Sequence, residues 1–196
     1  MKIGFDIDGV LATFDDAYSA ILTRLTGLKF PPDSPTWPKT WDWDFDMMVD
    51  AGFSVADIKM IQSTAWNEIK DPSTEFWENL PPIKDNLIWA GTLQDCYANC
   101  FFITSRPGSN AKEQTERWLF KQFGYINPVI ISSAKGTEAA KLELTHYIDD
   151  RAENILDVME KSPLTRAYLL TKPYNTWATV PLRVDSVKEM VKREKL

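Results

Sequence analysis

The stretch Lys2-Ile3-Gly4-Phe5-Asp6-Ile7-Asp8-Gly9 begins as a short apolar run and ends on two carboxylates and a glycine. An uninterrupted apolar run of this length suits a strand buried on both faces of a parallel sheet. The period of two along a strand sends Asp6 and Asp8 to one side, and Gly9 permits a sharp turn directly after them. Runs of the same kind recur at Cys100 to Thr104, Val129 to Ile131, Tyr147 to Asp149 and Ala167 to Leu170. Helical patterns lie between them, most clearly Asn110 to Phe123, with Asn110 as N-cap, and Arg151 to Lys161. Strands alternating with helices predict an α/β fold around a parallel sheet. In such a sheet ligands sit outside the carboxyl ends of the strands, where Asp6 and Asp8 stand.

One segment breaks the alternation. Residues 15–82 hold Trp37, Trp41, Trp43, Trp66 and Trp77, five of the eight tryptophans, with Pro31, Pro32, Pro35 and Pro38. No strand pattern is evident there, whereas Ser54 to Ile69 has the apolar spacing of an amphipathic helix with Ser54 as N-cap. The reading is a small inserted helical cap over 15–82, entered by a helix from Asp15 to Leu25 and left at Pro81-Pro82. Residues 1–14 and 83–196 form the core.

Composition narrows the function. The 196 residues are 44% hydrophobic and 26% charged, which excludes disorder. With 22 basic against 28 acidic residues the net charge is -6, so the chain lacks the field that holds a long nucleic acid. Cys96 and Cys100 are too few for a disulfide framework and read as small buried residues in a reducing cytoplasm. No apolar run approaches the roughly 20 residues that span a bilayer, and Asp6 interrupts the N-terminal run before it could serve as a signal peptide. No membrane partner is expected. A homodimer is left open.

The carboxylates carry the chemistry. A second acidic pair, Asp149-Asp150, follows the apolar Tyr147-Ile148. If both strands lie in one parallel sheet, four carboxylates gather at one edge, an arrangement that calls for a hard cation such as magnesium. Thr104 and Ser105 end another buried strand, where hydroxyls and backbone N–H groups can take phosphate oxygens. Lys135, just after the strand at Val129, is the candidate balancing cation. His146 stands alone, which excludes a histidine-rich metal site, and reads as an ordinary residue at a strand start. Met47, Met48 and Met60 read as packing. A phosphate-binding Gly-Lys-Ser/Thr loop and a Gly-x-Ser-x-Gly elbow are both missing.

The order of these elements resembles that of the haloacid dehalogenase-type phosphohydrolases: Asp6 and Asp8 before a glycine, then Thr104, then Lys135, then Asp149 with Asp150. The resemblance implies a Rossmann-like core and a magnesium-dependent aspartyl-phosphate mechanism. The chain is similar in particular to the 5'(3')-deoxyribonucleotidases, through Asp-Ile-Asp-Gly-Val-Leu-Ala at 6–12, Phe76-Trp77 ahead of Leu80-Pro81-Pro82, Thr104-Ser105, Trp118 before Phe123-Gly124, and Ile148-Asp149-Asp150-Arg151. Arg106 after the Thr-Ser pair departs from that pattern.

With the resemblance, Asp6 is the expected nucleophile and Asp8 the acid and base, with magnesium held by Asp6, the Asp8 carbonyl, and Asp149 or Asp150. Thr104 and Lys135 are the expected phosphate contacts, with Ser105 and Arg106 in support. Phe14, Phe45, Phe76 and Trp77 are the candidates for a base and sugar pocket. An apolar wall there would disfavour a 2'-hydroxyl, so a deoxyribonucleoside monophosphate is the expected substrate. Two other readings stay open: a phosphatase for another small ester or a nucleic-acid 3'-phosphate end, and a silent binding module of the same fold. The retained acidic pairs speak against the last.

Overall fold

The computed structural model describes residues 1–30, 42–97, 99–124 and 128–196. Trp37, Trp41 and the prolines at 31, 32, 35 and 38 lie outside them. Six parallel strands make one sheet in the order β3-β2-β1-β4-β5-β6: β1 (Ile3–Phe5), β2 (Cys100–Thr104), β3 (Val129–Ile131), β4 (His146–Asp149), β5 (Arg166–Leu170) and β6 (Arg183–Val184). The fully buried β1 and β4 are neighbours, with Ile3, Gly4 and Phe5 opposite His146, Tyr147 and Ile148. Asp6 extends this ladder by donating its N–H to the Ile148 carbonyl at 2.9 Å. The two acidic strand ends are therefore adjacent at the carboxyl edge. Five strands are legible in the sequence, whereas β6 has only two residues, too short for any periodicity.

Alternation along the strands divides the core into two layers. Phe102, Ile148, Tyr168 and Leu170 pack with Trp118, Leu87, Ala90 and Met190, which belong to α4 (Lys84–Tyr97), α5 (Ala111–Phe123) and α8 (Val187–Glu194). Ile103, Tyr147, Ala167 and Leu169 face Ala139, Ile155 and Val158, on α6 (Lys135–Leu142) and α7 (Ala152–Lys161). This is the sandwich of helices on both faces that a parallel sheet requires.

The inserted segment is helical: α1 (Phe14–Thr26), α2 (Trp43–Asp50) and α3 (Val55–Lys70), then short 3-10 turns at Pro72–Thr74 and Phe76–Glu78. Ser54 caps α3, its Oγ accepting from the Asp57 N–H at 3.2 Å. Asn110 stands at the N-cap of α5 but its side chain makes no capping bond. The two crossings between core and insertion run side by side, with the Thr13 N–H donating to Pro81 O (2.9 Å) and the Ile83 N–H to Leu11 O (2.7 Å).

Two packing expectations are corrected. Cys100 is buried in β2, but Cys96, in the last turn of α4, is exposed. Met48 is buried, whereas Met60 falls off the Ile58–Ile61–Ala65–Ile69 stripe of α3 and is exposed to solvent. His146 is the first residue of β4, where its ring nitrogens face Thr145 Oγ1 (2.9 Å) and Glu194 (3.4 Å). Among the described residues no helix is long and apolar enough to cross a membrane.

Candidate active site

Asp6, Asp149 and Asp150 bring one carboxylate oxygen each to within 4.8 Å of one another, all three buried. Lys135, the first residue of α6 and 0% exposed, donates its Nζ to Asp6 Oδ1 at 2.7 Å and to the Ile103 carbonyl at 2.5 Å. Burial pushes the Asp6 carboxyl up to about 7, opposed by the Lys135 ammonium and assisted by Asp149 and Asp8. Burial likewise lifts Asp149 to about 6, against Lys135, and Asp150 to about 7, with Asp6 adding to it. One ammonium among three carboxylates leaves the cluster short of positive charge near neutral pH. The donors are all oxygens, the set that suits a hard cation.

The two acids of the second pair have different surroundings. Asp149 accepts from Tyr147 Oη (2.7 Å), from the Arg151 N–H (2.8 Å) and from Asn154 Nδ2 (3.1 and 3.0 Å), so donors meet both its oxygens. Asp150 accepts from Tyr174 Oη through Oδ2, and unlike Asp149 it borders the cavity described below. Gly9 has φ +77°, and a Cβ there would lie 2.2 Å from Asp150 Oδ2. Only glycine lets the turn after Asp8 approach this carboxylate so closely.

Lys135 owes its place to the packing of α6 on α7. The Gly136 N–H donates to Asp157 Oδ2 at 2.6 Å, an acidic cap on the start of α6, and a Cβ at Gly136 would sit 2.2 Å from the Asp157 carbonyl oxygen. Gly136→Ala is therefore expected to push α6 away from α7 and carry Lys135 off Asp6. A melting temperature lowered by several degrees, with activity reduced even well below the new transition, would show this; an unchanged melting curve would contradict it.

Asp8 takes no part in the carboxylate cluster. Its Oδ1 meets Arg106 Nη2 at 2.8 Å, its Oδ2 meets Arg106 Nε at 3.0 Å, and Thr104 Oγ1 donates to Oδ2 at 3.3 Å. The Asp8 carboxylate is thus held by Arg106 and Thr104 rather than by the cluster. Arg106, expected among the phosphate contacts, spends its guanidinium on Asp8.

A cavity of about 130 Å³ opens beside these groups, lined by Asp6, Asp8, Asp150, Thr104, Ser105 and Arg106 on the core side. Phe14, Trp66, Trp77 and Pro107 form its apolar wall, and Arg151 and Asn154 complete the lining. Phe14 stacks at 5.8 Å on Trp66 and 5.9 Å on Trp77, with the ring planes within about 20° of parallel. Of the predicted pocket aromatics, Phe14 and Trp77 reach the cavity. Phe45 and Phe76 do not border it: Phe45 packs on the apolar core, and Phe76 stands edge-on to Phe14 and Trp77. Lys135 sits behind Asp6, outside the lining.

Sequence reading did not single out Trp66, Asn154 or Tyr174. Asn154 lies in the first turn of α7, just after the acidic pair, and its place there could have pointed to it. Trp66 and Tyr174 reach the site only through tertiary folding.

The architecture has close counterparts among solved structures. A hydrolase of the haloacid dehalogenase family from Deinococcus radiodurans, solved with phosphate and sodium, superimposes with a TM-score of 0.64 over 99% of this chain and 95% of its own, at 11% identity. The fold is that of the haloacid dehalogenase-type hydrolases. A hydrolase of that family from Bacillus subtilis, bound to magnesium, gives 0.62 at 10% identity over 100% of this chain and 98% of its own. A hydrolase from Streptococcus pneumoniae gives 0.61 at 12% identity with the same coverage. No family model and no curated protein matches the sequence. In this haloacid dehalogenase-type fold the acidic cluster occupies the carboxyl edge of the sheet, and the inserted helices stand over it.

Proposed function

We propose that the protein is a magnesium-dependent phosphatase of small phosphate monoesters, with deoxyribonucleoside monophosphates as the preferred substrates. The observation that carries this reading is the buried trio Asp6, Asp149 and Asp150 with Lys135 on Asp6, opening onto a cavity with an aromatic wall.

Asp6 is the nucleophile: a carboxylate oxygen attacks phosphorus, and the bond to the ester oxygen breaks. Asp8 gives the departing oxygen its proton, then takes a proton from the water that attacks the aspartyl phosphate, releasing inorganic phosphate and restoring both acids. Lys135 offsets the charge of Asp6. Thr104 and Ser105, at the end of β2, line the cavity and are the candidates for contacts to the phosphate oxygens. Asp6, Asp150 and the Asp8 carbonyl would hold the cation, with Asp149 braced behind them. When bound, magnesium neutralises charge and orients the phosphoryl group.

The wall of Phe14, Trp66 and Trp77 supports a nucleoside as the leaving group. The cavity is smaller than the roughly 300–1,000 Å³ of sites that enclose a whole ligand, so the base extends along the wall beyond it. The same size supports a second reading, a smaller phosphate ester on identical chemistry.

Phosphate release measured over deoxyribonucleoside, ribonucleoside and sugar monophosphates, with magnesium and with chelator, separates these. The highest kcat/KM is expected on a deoxyribonucleotide; preference for a sugar phosphate selects the second reading, and no release from any ester overturns the phosphatase. Trp66→Ala should lower kcat/KM on a nucleotide by about 10- to 100-fold, the worth of one stacked base, and affect nitrophenyl phosphate far less. Equal losses on both would make Trp66 packing alone.

A further inference from the structure

Arg106 is the most deeply buried arginine among the described residues, at 2% exposure, and its side chain has no exposed surface while that of Asp8 retains 22%. Both residues border the cavity, but in this pair the carboxylate keeps exposed surface and the guanidinium has none. Nε and Nη2 grip Asp8 as a fork, with Nη2 to Oδ1 at 2.8 Å and Nε to Oδ2 at 3.0 Å. Nη1 donates to Thr115 Oγ1 at 3.0 Å and to the Trp77 carbonyl at 3.4 Å. The guanidinium carbon lies 5.0 Å from the centre of the Trp77 ring and 5.9 Å from that of Trp118.

Trp77 is itself fixed to the core. Its backbone N–H donates to Gln114 Oε1 and its indole N–H to the Pro107 carbonyl, both at 3.0 Å, while the neighbouring Glu78 pairs with Arg117 and with Lys121 at 2.9 Å. A residue meant to capture an incoming phosphate would keep its donors turned to the cavity. Here Nε, Nη1 and Nη2 each meet a protein acceptor, Asp8 in front and Thr115 and the Trp77 carbonyl on the other side.

We propose that Arg106 is the positioning residue for Asp8, a buried fork that fixes the acid–base carboxylate and joins it through Trp77 to the wall that receives the leaving group. The proposal rests on the phosphatase reading, with Asp8 as acid and base. Placement within about 1 Å governs such a step, and an error of that size is worth on the order of 100-fold in rate.

The test compares Arg106→Lys, Asp8→Asn and the double variant on a nucleotide and on nitrophenyl phosphate, whose leaving group hardly needs a proton. Lysine keeps the charge and loses the fork. In a single turnover Arg106→Lys should slow nucleoside release by about 10- to 100-fold with substrate affinity changed little, should slow nitrophenol release much less, and should add nothing in the Asp8→Asn background. Breakdown of the aspartyl phosphate, where Asp8 is the base, is common to both substrates and is left out of the comparison. Thr115→Val, which removes one support of the fork, should show the same selectivity in smaller measure and serves if Arg106→Lys does not fold.

A phosphate-binding role for Arg106 would instead raise KM for both esters and weaken inhibition by inorganic phosphate. That outcome overturns the proposal, as does additivity with Asp8→Asn or wild-type behaviour of a folded Thr115→Val. If Asp8→Asn is selective for the nucleotide while Arg106→Lys is not, positioning alone fails. If Asp8→Asn slows leaving-group release equally from both substrates, the acid role of Asp8 fails and the proposal with it.

Discussion

Asp6→Asn is expected to lower phosphate release by about 10,000-fold or more, the scale on which removal of a nucleophile acts, while the protein stays folded. An amide cannot carry the phosphoryl group, and the neighbouring acids are engaged elsewhere: Asp8 is gripped by Arg106, Asp149 is saturated by Tyr147, Arg151 and Asn154, and Asp150 accepts from Tyr174. Folding should survive. The amide oxygen can still accept from Lys135 Nζ, and Asp149, whose field already reaches Lys135, remains as a counter-charge. A melting temperature within a few degrees of wild type together with lost turnover is the expected pair of results; wild-type turnover would remove Asp6 from the chemistry.

Chelation of divalent metal should likewise stop turnover, and magnesium should restore it better than calcium, whose looser coordination suits an in-line transfer less. Stability gives an independent reading. Asp6, Asp149 and Asp150 have folded pKa values raised from 3.8 to between about 6 and about 7. Between about pH 4 and pH 7 the folded chain therefore holds protons that the unfolded chain has already lost, and metal-free stability falls as pH rises through that window. Each tenfold in proton affinity is worth about 1.4 kcal/mol, and about 1 kcal/mol moves the melting temperature of a chain this size by roughly 2–4 °C. Magnesium binds the ionised carboxylates, so its stabilisation should be small at pH 5 and amount to several degrees at pH 7.5. A metal-free melting temperature flat across this range, unmoved by magnesium at pH 7.5, would contradict the cluster's role.

Most of the core was legible because a strand buried on both faces leaves an unmistakable apolar run, and because an acid ending such a run has no structural reason to be there. Asp6, Asp8, Asp149 and Asp150 were found that way, and adjacency of β1 and β4 brings the two pairs together. The short strand β6 and the weakly patterned helix α4 gave no comparable signal. Side-chain partnerships were the least legible part. Residue type and chain order suggested Arg106 for phosphate, but its bond to Asp8 joins residues 98 positions apart and depends on Thr115, Trp77 and Trp118 closing around it. Phe76 adjoins Trp77 in sequence, yet only Trp77 reaches the cavity, because consecutive residues of a 3-10 turn point in different directions.

The central claim is that the phosphoryl group passes through Asp6, and it is tested most directly by quenching the enzyme in acid during turnover of a nucleotide with magnesium and locating phosphate by peptide mass. The account predicts a phosphoryl group on the Asp6 carboxyl that accumulates with substrate, disappears when substrate is exhausted, and is missing in Asp6→Asn. Steady turnover with Asp6 unmodified at every quench time, or with the phosphoryl group on another residue, would contradict it.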